Sequence, residues 1–138
     1  MSYAHTVTVQ TPFDETVQMV RDALTTQGFG ILTEIDVRAT FTAKLSPEKA
    51  DAVGDYLILG ACNPPLAHRA ITTDPDIGLL LPCNVVVRRG PGAGETVVQA
   101  IDPATMVQLS DQPGIKDIAN EANTRLLAAL GSLQAAAQ

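Results

Sequence analysis

The chain has 138 residues, of which 46% are hydrophobic and 17% charged, and this composition argues against a disordered polypeptide. Its net charge of −6 repels phosphate backbones and no cluster of Lys and Arg offsets it, so nucleic-acid binding is disfavoured. No apolar stretch reaches transmembrane length, because Pro, Asn or a charged residue interrupts each run.

The length suits a single compact domain over residues 1–138, in which the alanine-rich end, 133–138, is predicted to be a flexible tail. The first thirty residues lack the order of a secretory signal, so we expect the chain to lie in the cytoplasm. In that reducing compartment, two cysteines are expected to be free thiols, ligands or core residues rather than a structural disulfide.

The first half of the chain predicts strands alternating with helices. Alternating residues over 3–10 indicate a strand, and an apolar stripe at steps of three and four residues then indicates a helix that ends at Gly28. Residues 30–35 predict a second strand. Residues 36–45 are ambiguous, because their apolar positions step by four while their threonines suit a strand; we take this segment as a helix.

The second half contains the most apolar segments. Residues 56–62 predict a third strand, and Asn63 with the proline after it opens a helix. The nearly continuous apolar run 77–87 is typical of a strand buried on both faces. A Pro-Gly-Ala-Gly turn then leads to an antiparallel strand over 95–101, and the last helix begins near Asp111.

The resulting order, roughly β-α-β-α-β-α-β-β-α, predicts an α+β protein. We expect a two-layer or mixed sandwich, in which helices flank a mixed sheet of about five strands. A strand, a helix and a strand of one sheet normally form a parallel, right-handed crossover, so 56–62 and 77–87 are predicted to run parallel.

Two Cys-Asn dipeptides hold the only cysteines of the chain, Cys62 and Cys83. Each cysteine is the seventh residue of its predicted strand, so parallel neighbours would place both thiols at similar heights. Cys62 would precede a helix N-terminus, whose backbone N–H groups stabilise a thiolate. We therefore take Cys62, Asn63, Cys83 and Asn84 as the candidate ligand-binding residues.

Less specific roles stand beside this one. Free cysteines usually pack in the core, Asn63 can serve only as a helix cap, and Asn84 can satisfy a bulge beside the proline that precedes Cys83. Cys62, Cys83 and His68 form a weaker candidate for a soft-metal site, since their spacing matches no zinc motif. No glycine-rich phosphate loop or Gly-x-Ser-x-Gly motif occurs, so the sequence identifies no cofactor and no catalytic residue.

The chain resembles the domain of unknown function 302 family of small bacterial and archaeal proteins. The resemblance rests on Gly28-Phe29-Gly30, on the segment 56–64, on 79–85 and on Asp102-Pro103. It implies one compact α+β domain with a mixed sheet flanked by helices, and homodimers. It implies no established activity.

Three functions remain open. We prefer a small cytoplasmic module that binds a small ligand or a soft metal near the two Cys-Asn segments, where His68 or Met106 could assist. The alternative is a structural or protein-interaction domain without a ligand site. A thiol-dependent enzyme or redox protein that uses Cys62 is the second alternative, although the sequence positions no base beside that thiol and lacks Cys-x-x-Cys.

Overall fold

The computed structural model describes residues 3–137, with side chains as far as Gln134. One sheet of five strands has the order β1-β5-β4-β3-β2, and each of its four neighbouring pairs is antiparallel. The strands are β1 (Ala4–Val9), β2 (Gly30–Asp36), β3 (Asp55–Cys62), β4 (Cys83–Arg89) and β5 (Thr96–Ile101).

Helices connect these strands except β4 and β5, which a turn joins, and the two longest helices pack on one face of the sheet. Over residues 3–137 they are α1 (Phe13–Thr26), α2 (Val37–Lys44), α3 (Pro47–Val53), α4 (Pro64–Thr73), a 3₁₀ helix (Pro75–Leu80), α5 (Ala104–Leu109) and α6 (Ile115–Ala137). None of the described helices combines the length and apolar character needed to cross a bilayer.

The main core lies between the sheet and the two longest helices. Alternate residues of β3, β4 and β5 point toward α1 and α6, as the period of two requires. Leu59 and Val87 from the sheet and Leu126 from α6 have no exposed surface. Burial of this apolar face is the main free-energy gain that holds helices and sheet together.

A second, smaller apolar cluster lies beside the main core. It joins Leu66 of α4, Ile77 of the 3₁₀ helix and Met106 of α5 to the first turns of α6, which contribute Ile115 and Ile118. The long helix α6 therefore takes part in both clusters: its beginning packs in the smaller one and its later turns pack on the sheet.

The other face of the sheet carries a different set of side chains. Tyr56, Ile58, Val86, Arg88 and Gln99 are half-buried and belong to neither apolar cluster. Their register places Ile58 beside Val86, and Val86 beside Gln99, across the centre of the sheet. This surface is called the open sheet face below.

The predicted α+β class, five strands and flanking helices are confirmed. The helical interpretation of 36–45 is also confirmed, since α2 begins at Val37 after Asp36, whose side chain accepts a hydrogen bond from the Ala39 N–H. The mixed sheet is not observed, because every pairing of the described strands is antiparallel.

The predicted strand 77–87 and its parallel crossover are wrong. The first part of this run is the 3₁₀ helix, whose preceding residue Asp74 accepts a hydrogen bond from the Asp76 N–H. This helix reverses the chain, so that β4 starts only at Cys83 and runs antiparallel to β3. The run is apolar at its start because Ile77 packs in the smaller cluster rather than in the sheet.

Two further elements were not predicted, and the end of the chain differs from the expected tail. Helix α3 follows Ser46, which accepts a hydrogen bond from the Lys49 N–H, and α5 follows the Asp102-Pro103 turn. Helix α6 continues to Ala137, and Leu133 within the expected tail is buried in the main core. Gln138 lies outside the described residues.

Candidate functional site

The two cysteines are neighbours at one end of the sheet. Cys62 is the last residue of β3 and Cys83 the first residue of β4, and the antiparallel register places Ala61 opposite Cys83. Both cysteines line the same cavity. They meet because the end of one antiparallel strand lies beside the beginning of the next, not because parallel strands share a height.

The cavity is an apolar cleft of about 300 Å³ between the end of the sheet and the smaller cluster. Helix α4 forms one wall, and Met106 of α5 with Ile118 and Ala122 of α6 forms the deep part. Two exposed apolar side chains, Leu32 and Ile71, also line it, so the apolar surface continues to the protein exterior.

The polarity of the lining is low. Of its sixteen lining residues only Asn63 has a nitrogen or oxygen atom in its side chain, and none carries a charge. Such a surface favours apolar molecules, and a single polar group can fix the orientation of a bound molecule.

Asn63 is the N-cap of α4, as the sequence predicted. Its Oδ1 accepts a hydrogen bond from the Leu66 N–H at 3.1 Å, and the residue is only 9% exposed. The amide group also lies against Gly28, where an added Cβ would come within 3.0 Å of Nδ2. Gly28 has a φ of +85°, so this close approach and the backbone conformation both require glycine.

The start of α4 offers no free backbone donor to a thiolate at Cys62. Pro64 and Pro65 have no N–H. The Leu66 N–H donates to the side chain of Asn63, and the Ala67 N–H donates to the backbone carbonyl oxygen of Asn63. The expected stabilisation of a Cys62 thiolate by backbone N–H groups therefore has no donors in this geometry.

Cys83 is buried, with 7% of its surface exposed. Burial, together with a smaller electrostatic contribution from the neighbouring Cys62, raises the pKa of its thiol to about 11. The Cys83 thiol is therefore protonated at neutral pH. A protonated thiol is neither a nucleophile nor a metal ligand, so Cys83 acts as a small apolar wall residue.

Asn84 does not belong to this cavity. Its neighbour Cys83 points toward the helices, and alternation along β4 places Asn84 on the open sheet face, where it is exposed. It lines a separate, shallow groove with Tyr56 and Val86. The predicted four-residue site is therefore reduced to Cys62, Asn63 and Cys83.

The three-ligand metal site is not formed either. His68 is exposed on α4 and does not line the cavity. Within residues 3–137 no three His, Cys, Asp or Glu side chains come together in a group that could hold a metal ion.

Sequence reasoning missed most of the cavity wall. Leu32 is presented by a bulge in β2, where the register to β3 shifts between Ile31 and Thr33. Ile118 and Ala122 belong to the apolar stripe of α6, and both α6 and α4 were predicted, but the packing of the two helices around a cleft was not. Met106, named as a possible assistant, does line the cavity.

Fold and site together define a class: a two-layer α+β protein with an antiparallel sheet and an apolar cleft at the sheet end. Within this class the chain belongs to the family described as "Domain of unknown function DUF302", whose sequence pattern matches residues 5–133. No curated protein matches the chain.

One solved structure extends this assignment to three dimensions. The chain is 31% identical to an uncharacterized conserved DUF302 protein from Bacillus stearothermophilus, whose crystal structure superposes with a TM-score of 0.81. The likeness covers 95% of this chain and 98% of the other.

Proposed function

We propose that the protein is a small binding module that holds a largely apolar ligand in the cleft beside Cys62 and Cys83. The observation that carries this proposal is the lining: sixteen residues, no charge and one polar side chain around about 300 Å³. Ligand sites in proteins have this character and begin at about this volume. The metal form of the binding hypothesis is not supported, as no group of three suitable ligands exists within residues 3–137.

The volume limits the size of the ligand. A closed apolar cavity of ~150 Å³ holds benzene. A cleft of about 300 Å³ suits a molecule with two fused rings, or a short acyl chain of similar bulk. The apolar rim at Leu32 and Ile71 allows part of the ligand to protrude without facing a charged surface.

The proposal is tested by dye titration. N-phenyl-1-naphthylamine is uncharged and fluoresces strongly in apolar surroundings. We expect a saturable rise in fluorescence with one dye molecule per chain. Ala67→Phe places a ring in the cleft from α4 and should reduce the affinity by at least tenfold, because the ring occupies the volume that the dye needs.

Ala128→Phe is the matched control for this substitution. Ala128 is an exposed residue of α6 outside the cleft, so this variant adds the same ring without filling the site. It should bind the dye as the unmodified protein does. Equal affinity of the Ala67→Phe variant and the unmodified protein would place the dye elsewhere and refute the proposal.

Two further properties belong to the proposal. The chain works in the cytoplasm, which is supported by the two free thiols, because reducing compartments preserve such thiols.

The protein also forms a homodimer through the open sheet face. Support comes from charge: among Tyr56, Ile58, Val86 and Arg88 only the arginine is charged, and it donates a hydrogen bond to Gln99 at 3.2 Å. Each copy carries a net charge of −6, and two copies repel each other least when they meet through a face without acidic side chains.

Light scattering coupled to size-exclusion chromatography tests the dimer. Val86→Glu introduces a charge at the centre of the open sheet face and should give a monomer. Val53→Glu, at the partly exposed end of α3, adds the same charge away from this face and should leave the dimer intact. A monomeric unmodified protein would refute this part of the proposal while leaving the ligand site unaffected.

A further inference from the structure

The amide nitrogen of Asn63 is a donor without an acceptor. The residue is nine-tenths buried, and its Oδ1 is fixed by the Leu66 N–H, so the position of Nδ2 follows from the cap. Within the described part of the chain, Nδ2 donates no hydrogen bond, yet it retains accessible surface. Nδ2 is therefore a donor at the edge of a largely buried side chain, where the acceptor of a ligand can replace water.

The surroundings of Nδ2 determine which kind of acceptor it suits. The backbone of Gly28 closes one side of the amide, and Asn63 lines the cleft on the other. Arg125 lies beside the same glycine but does not line the cleft. Its Nη1 donates to the Gln27 carbonyl oxygen at 3.0 Å, and its Nη2 lies 3.7 Å from a Glu121 carboxylate oxygen.

No other group in the cleft could balance an anionic ligand. The lining residues carry no charge, and the first backbone N–H groups of α4 are absent or already bonded. A buried carboxylate without a partner is costly, whereas a neutral carbonyl needs only one donor. The site is therefore suited to a neutral acceptor at one end of an apolar body.

We propose that the ligand of this cleft carries a neutral carbonyl group, as in a ketone, ester or amide, whose oxygen accepts a hydrogen bond from Asn63 Nδ2. The inference rests on the proposed function, because it assumes that the cleft is the ligand site. Asn63 then has two roles: Oδ1 caps α4 and Nδ2 orients the ligand. The apolar body of the ligand lies toward Met106, Ile118 and Ala122.

Three naphthalene probes of similar shape test the inference by displacing the dye. They are 2-acetylnaphthalene with a neutral carbonyl, 2-isopropylnaphthalene with no acceptor, and 2-naphthoate with a carboxylate. The measured quantity is the ratio of the isopropyl to the acetyl dissociation constant. We expect naphthoate to bind more weakly than the acetyl probe, and tighter binding of naphthoate would overturn the choice of a neutral ligand.

Asn63→Asp separates the two roles of the side chain. Aspartate caps a helix as well as asparagine does but has no N–H to donate. The ratio should fall about three- to tenfold in this variant, which is the worth of one neutral hydrogen bond. Asn84→Asp adds the same charge on the open sheet face and should leave the ratio unchanged.

Asn63→Ser provides a second variant, because serine also caps α4 but is too short to place a donor where Nδ2 lies. An unchanged ratio in both Asn63 variants, with dye and probes still bound, would overturn the carbonyl inference and leave the proposed function standing. Failure of the unmodified protein to bind any probe or the dye would instead overturn the proposed function itself.

Discussion

At the scale of single residues, the two Cys-Asn dipeptides show how far environment separates identical sequences. Both cysteines line the cleft, but Cys62 is half-buried whereas Cys83 is buried in the main core. Asn63 caps a helix, whereas Asn84 is exposed on the opposite face of the sheet. Strand alternation accounts for the exposure of Asn84, because neighbours along β4 point to opposite faces and Cys83 points into the core.

The buried thiol of Cys83 should make stability depend on alkaline pH. Burial raises its pKa from 9.0 to about 11 in the folded protein. Below pH 9 the thiol is protonated in both states and the stability is fully retained. Between pH 9 and 11 the unfolded chain loses the proton first, so the free energy of unfolding should fall by about 2–3 kcal/mol.

Urea unfolding at pH 8, 9, 10 and 11 measures this fall, and Cys83→Ala is the control. Other groups titrate in the same range, so the informative quantity is the difference between the two pH profiles. The alanine variant should lose less stability over this range than the unmodified protein does. Parallel profiles would show that Cys83 ionises as readily in the folded as in the unfolded chain.

Gly60 should not tolerate a larger residue. It lies in β3 opposite Thr33, and an added Cβ would overlap the Thr33 hydroxyl oxygen and come within 2.8 Å of Pro82 Cγ. We expect Gly60→Ala to lower the free energy of unfolding by about 1–3 kcal/mol through this crowding. Chemical denaturation measures it, and Gly94→Ala, with no atom near the added Cβ, should change stability by less than about 0.5 kcal/mol.

At the scale of elements, local signals in the sequence predicted α1 and α4 but not α3, although Ser46 caps that helix. Asn63 before two prolines correctly predicted the start of α4, and Gly28, with its positive φ, correctly predicted the end of α1. The run 77–87 failed because an apolar stretch has no periodicity that distinguishes a strand from a short buried helix. The 3₁₀ helix is revealed only by the cluster in which Ile77 packs.

The direction of β4 was not predictable from the same signals. A strand, a helix and a strand favour a parallel crossover, but the 3₁₀ helix after α4 adds a reversal that returns the chain antiparallel to β3. The two cysteines were nevertheless correctly expected to be neighbours. That success had a different cause, since adjacent ends of antiparallel strands also meet.

The side of α6 that faces the sheet should contribute most of the stability that this helix provides. Leu126 is fully buried against the sheet, while the next residue, Leu127, is 44% exposed. Leu126→Ala should destabilise the protein by about 2–5 kcal/mol, because it leaves a cavity in the main core. Leu127→Ala removes the same atoms from the exposed side and should cost less than about 1 kcal/mol. Urea unfolding of the two variants compares them directly, and equal losses would contradict the burial pattern.

At the scale of the whole molecule, the cleft is a product of tertiary structure that local sequence signals cannot describe. Its wall combines α4, α5, α6, the end of the sheet and the bulge of β2. The sequence indicated Cys62, Asn63 and Cys83 because their dipeptides are unusual. It could not indicate Leu32 or Ala122, since ordinary apolar residues join a site only through their packing partners.

Ligand binding should stabilise the entire fold, because the cleft joins both apolar clusters. With N-phenyl-1-naphthylamine at a hundred times its dissociation constant, the free energy of unfolding should rise by about 2.7 kcal/mol. Thermal melts followed by circular dichroism at increasing dye concentration measure the effect. The Ala67→Phe variant should gain at most about 1.4 kcal/mol at the same dye concentration, because its affinity is at least tenfold lower. A gain equal to that of the unmodified protein would indicate binding outside the cleft.

The part that α6 plays in both apolar clusters also governs the order of assembly during synthesis. All five strands precede α6 along the chain, so a ribosome completes the sheet segments while their apolar face still lacks the cover that α6 provides. The smaller cluster, to which α4 and α5 contribute, also needs residues of α6 to be complete. Neither the main core nor the smaller cluster can therefore be completed before α6 is available. Nascent chains should remain sensitive to protease until α6 has left the exit tunnel.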